Sequence, residues 1–333
     1  MASPTIYKWT DTSAPIVFRG SSTDIQALFQ ACLIDGYGTK LPPVSGTNKW
    51  TIPFSDATSF ILKQGGAATR KCGLKLYSPT TSGYMSMQAA VDWTDLNTSV
   101  TPWSAGTTSD RVAIGFSNSA TRQIPWIIIA TERALYAHFG YNITETIPTL
   151  YDSTFSTSMQ NGHWFFGDYT PIDNSQTVNQ LVTLSTTASA TYTNYCRNFT
   201  STISISGIGH KRISGNYANV DTPGGTAVNT MNLRNSAANA LVIGADSTSE
   251  YIPTYPSPLD GSLNLDTLRI IANRTIMGSF PGLLYPIANE IYPASGFIPE
   301  IDGTGTFSGE KMLIFTDNNQ GKYIIRDGEW GVD

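Results

Sequence analysis

Few side chains in this sequence are of a type and spacing that make or break bonds. The 333 residues include three histidines, His138, His163 and His210, and no two are neighbours. A metal centre or proton relay needs imidazoles brought together. His138 lies inside an apolar run, His163 leads into Trp164, and His210 stands beside Lys211-Arg212. Packing or solvent accounts for each. The carboxylates Glu132, Asp168, Glu290 and Glu300 are isolated in sequence, and a glycosidase would need two of them to converge in space. Gly115-Phe116-Ser117-Asn118-Ser119 lacks the second glycine of a nucleophile elbow. Asp317-Asn318-Asn319-Gln320-Gly321 starts like a calcium loop without the later acidic ligand, so a hairpin turn is expected. Cys32, Cys72 and Cys196 are widely spaced and form no CxxC, which fits buried thiols better than a zinc site. No phosphate-binding loop, dinucleotide fingerprint or His-Glu-x-x-His occurs. The expectation is a protein that is not an enzyme, with no catalytic residue, cofactor or metal ligand.

Composition points toward contacts instead. Charged residues make up 14% of the chain, against roughly 25% in an ordinary soluble domain. A polar, weakly charged surface with 11% aromatics suits a chain covered by partners or by its own copies. A net charge of −5 argues against nucleic acid, which demands a basic stripe. No run approaches the ~20 apolar residues of a membrane span, and Met1 to Thr5 shows neither the basic nor the apolar region of a signal peptide. Candidate interface residues are Ala2 and Tyr7 in an extended N-terminal arm, Trp103 after Pro102 in a polar loop, and Pro223 in the loop Asp221-Thr222-Pro223-Gly224-Gly225. Trp126 and Trp164 sit in apolar runs and are expected in the core.

The elements that must position these residues are mostly strands. One helix is expected, because Ile25, Leu28, Phe29, Cys32 and Leu33 share one face. Thr23 would cap it with Gln26, and Gly36 would stop it. Phe60 to Lys63, Lys71 to Tyr77 and Tyr84 to Val91 suggest consecutive antiparallel strands, with Met85, Met87 and Ala89 on one face. Trp126 to Ala130 and Ala134 to Phe139 flank Thr131-Glu132-Arg133 as a hairpin. The first of these strands is apolar throughout, so it should be covered on both faces. Further strands are expected at Trp164 to Phe166, Leu181 to Leu184, Thr202 to Ile205, Leu241 to Ile243 and Leu268 to Ile271. Lys311 to Thr316 and Lys322 to Arg326 form a last hairpin. Polar stretches at 97–109, 151–161 and 216–230 are expected as loops. The fold class is mostly β, α+β with one N-terminal helix, its antiparallel sheets forming a sandwich or a barrel. A linker-like Ser/Thr/Ala stretch suggests domains at 1–188 and 189–333.

Several segments, in order along the chain, resemble a family of tailed-bacteriophage virion proteins of poorly defined role. They are Tyr7-Lys8-Trp9-Thr10-Asp11-Thr12-Ser13-Ala14-Pro15, Ala31 to Lys40, and Lys63-Gln64-Gly65-Gly66, similar to the family's Arg-Gln-Gly-Gly. Trp126 to Arg133 resembles Trp-x-Ile-Ile-Ala-Asp-Glu-Arg, with Thr131 in place of Asp. Phe165-Phe166-Gly167-Asp168, Gly278 to Pro286 and the hairpin ending at Trp330 complete the set. Ala288 stands where family members often have His. The resemblance implies a structural component of the virion at head, neck or tail, assembled in the host cytoplasm. Its partners would be other phage virion proteins and copies of itself. The alternative expectation is a receptor- or glycan-binding module whose loop aromatics, Trp103 first, stack on sugar.

Overall fold

A computed structural model of the chain describes residues 3–17, 21–67, 71–77, 84–102, 111–113, 124–139, 162–173, 180–186, 195–197, 265–272, 275–286, 300–316 and 322–330. Its elements begin with strand β1 (Thr5–Lys8), helix α1 (Ser22–Phe29) and a π-helical continuation, Gln30–Asp35. Next come β2 (Thr51–Ser55), β3 (Ser59–Lys63), β4 (Gly73–Tyr77), β5 (Tyr84–Trp93), β6 (Ser99–Pro102) and β7 (Arg111–Ala113). The middle of the chain supplies β8 (Trp126–Ala130), β9 (Ala134–Phe139), β10 (Gly162–Asp168), β11 (Thr170–Pro171), β12 (Gln180–Thr186) and β13 (Tyr195–Arg197). Last are β14 (Leu265–Ala272), β15 (Thr275–Pro286), β16 (Glu300–Asp302), β17 (Lys311–Thr316) and β18 (Lys322–Arg326). The expected strands at 202–205 and 241–243, and the loops at 151–161 and 216–230, lie outside the described residues.

Among the described residues the strands pair antiparallel in three sheets, and none of these closes into a barrel. The central sheet runs β1-β8-β9-β10-β12-β13. A second runs β2-β3-β4-β5-β6, with β7 also on β5, and a third runs β11-β15-β18-β17-β16, with β14 on β15. Side-chain alternation assigns the layers. Trp126, Ile128, Leu135, Ala137, Trp164 and Phe166 share one buried cluster with Phe60, Leu62, Leu74 and Leu76 of the second sheet. The alternate residues Ile127, Ile129, Tyr136 and Phe165 are buried on the opposite face. There Phe165 meets Phe280 edge-on at 5.3 Å, and the Tyr136 hydroxyl donates to the Pro281 carbonyl at 2.9 Å. Hence the all-apolar β8, expected to be covered on both faces, is buried at every position.

α1 closes the first interface, where Phe29 lies 6.2 Å from Phe60 and 5.6 Å from Trp164. The helical face read from the sequence is the buried one, with Ile25, Leu28, Phe29, Cys32 and Leu33 all at 0% exposure. Its cap differs from expectation. Ser21, two residues earlier than Thr23, accepts from the Asp24 backbone N–H at 3.1 Å. Gly36 does end the helical run, at φ +82, and its N–H reaches back five residues to Ala31 at 2.8 Å.

Three further departures have local causes. The N-terminal arm is not extended away from the body, because Thr5–Lys8 pairs with Ala130–Ile127 of the same chain. The polar stretch after Asn97 begins with a strand, since Ser99, Val100 and Pro102 pair with Trp93, Asp92 and Ala90 of β5. In β15 the register against β14 jumps between Leu284 and Ser279. Pro281 has no N–H to donate and Gly282 sits at φ +66, so the ladder must break there. Pairing also crosses the expected boundary at 188, with β13 on β12 and β11 on β15.

Candidate functional site

The most heavily bonded polar cluster lies where β3, β8, β9 and β10 end together. After β3, Gln64 turns the chain, its N–H donating to the Cys72 carbonyl at 3.0 Å and its side-chain oxygen accepting from the Cys72 N–H at 3.0 Å. The Gln64 amide then donates to the Arg133 carbonyl at 2.7 Å and to Asp168 Oδ1 at 2.9 Å. Arg133 grips Asp168 with two donors, Nε to Oδ2 at 2.9 Å and Nη2 to Oδ1 at 3.0 Å. Its third donor, Nη1, reaches the Gly65 carbonyl at 3.0 Å. Gln64 is 1% exposed and Arg133 7%.

The local sequence explains why these groups meet. The hairpin turn after β8 is set by Thr131, whose hydroxyl accepts from the N–H groups of Arg133 at 3.2 Å and Ala134 at 3.0 Å. A short side-chain acceptor here closes the turn through its own backbone. Gly167, at φ +138, brings β10 against the hairpin, and a Cβ there would overlap the Arg133 carbonyl. Trp50 seals the cluster, its indole N–H donating to the Thr131 carbonyl at 2.9 Å.

This arrangement binds protein to protein. Both Asp168 oxygens accept from Arg133, and both Gln64 amide hydrogens have acceptors. The Asp168 carboxylate, 14% exposed, is committed to Arg133 and Gln64. Glu300 is engaged by Lys8. Glu290 and His210 lie outside the described residues. His138 is buried beside Tyr136, rings stacked at 6.4 Å, and its register partner in β10 is His163, a proximity that spacing in sequence did not reveal. Among the described residues no group of three or more His, Cys, Asp or Glu could hold a metal ion.

Of the four candidate interface residues, Ala2, Trp103 and Pro223 lie outside the described residues. Tyr7 is fully buried in its own chain, its ring 5.9 Å from Tyr37 and its hydroxyl donating to the Leu41 carbonyl at 2.6 Å. The strand pairing that docks β1 turns Tyr7 into the core of its own chain. Burial first, then Cys32 nearby, raises its hydroxyl well above the ordinary tyrosine range. Cys32 is itself raised by burial and then by Asp11. Tyr37 is raised too, again by burial first and then by its hydrogen bond to Asp11.

A second junction joins the central sheet to the third. Tyr136 meets Trp330 edge-on at 5.3 Å, and the Trp330 indole N–H donates to the Arg326 carbonyl at 2.9 Å. Burial raises the Tyr136 hydroxyl well above its ordinary value. The segments that build both junctions carry no local signal that they touch. Gln64, Arg133 and Asp168 are separated by 69 and 35 positions, and no periodicity links them. No family model matches the chain, and no curated protein matches it.

Proposed function

We propose that this chain is a non-enzymatic structural component of a tailed-phage virion, decorating or stabilising the head, neck or tail through contacts with other virion proteins and with its own copies. The observation that carries this reading is the use made of the resembling segments. Gln64-Gly65-Gly66, Thr131 to Arg133 and Gly167-Asp168 form one buried knot, and Phe280 to Gly282 with Trp330 form the other junction. Each of these segments holds sheet to sheet within the chain, so the residues that carry the resemblance serve the framework. Low charge supports the same reading, because a permanent assembly replaces surface charge with apolar and backbone contacts.

The test is quantitative mass spectrometry of purified particles, followed by cryo-EM placement of the chain. A fixed copy number in a ring or shell supports the reading. Absence from particles, together with a monomer in solution, overturns it.

A further inference from the structure

We draw no further inference here: the strongest candidate, the exposed apolar surface patch around Ile16 and Leu41 where the turns after β1 meet the Tyr37–Lys40 bridge, carries none, because nothing in the structure shows what covers it.

Discussion

Two arginine–carboxylate pairs in this molecule have nearly the same geometry and very different reach. Arg133 holds Asp168 with two donors, and Arg326 holds Glu310 with two donors at 2.8 and 2.9 Å. Both arginine side chains are below a tenth exposed. The Arg326 pair closes over 16 residues within the third sheet, with the guanidinium 4.5 Å above the Phe307 ring. The Arg133 pair bridges the β8–β9 turn to β10 and adds a bond to Gly65 and a shared amide from Gln64, so it ties the central sheet to the second. The same chemistry serves a local element in one place and the joining of layers in the other.

Breaking that comparison starts with Arg133→Ala. It leaves Asp168 without its counter-charge in a largely buried site, so urea unfolding should show a loss of about 3–5 kcal/mol; a loss below ~1 kcal/mol would contradict the tie. Gly167→Ala should come next, at about 3 kcal/mol, from an unfavourable φ and from collision with the Arg133 carbonyl. Arg326→Ala should cost about 2 kcal/mol, the scale of bonds to a charged group, and hydrogen exchange should loosen only around β16 to β18. Exchange spreading into the central sheet would show that the two pairs are not different in reach.

Tyr136→Phe sharpens the second junction through pH. The folded-state hydroxyl is raised by burial, so its contribution is present below the unfolded tyrosine value and is lost as pH climbs above ~10. Removing the hydroxyl should cost about 1 kcal/mol at neutral pH and make the alkaline decline shallower. Smallest is Lys63→Ala, which deletes a bridge to Asp92 whose carboxylate is 47% exposed. The expected change is under ~1 kcal/mol and should vanish at high salt.

Local pattern made most strands and the helical face legible. The Trp126 to Phe139 hairpin, the β3-β4-β5 succession and the last hairpin all lie where apolar alternation or an apolar run places them. Pattern failed where the signal is not periodic. Thr51–Ser55 carries Pro53 and lies at a sheet edge with a register break, so its alternation is short and interrupted. Thr5–Lys8 has no alternation long enough to declare itself and becomes a strand only because β8 lacks a neighbour on that side.

The candidate site divides along the same line. Sequence by itself determined the fold class, the buried face of the helix and the need for β8 to be covered on both sides, because each follows from which residues are apolar and how they repeat. It also supplied Gln64, Arg133, Asp168 and Tyr7 as members of distinctive segments. That the first three form one knot, and that Tyr7 packs in the core, was decided only by the tertiary structure. Hydrogen bonds and strand pairing between distant segments depend on which backbones are brought within about 3 Å of each other, a property of the fold and not of any stretch of the chain.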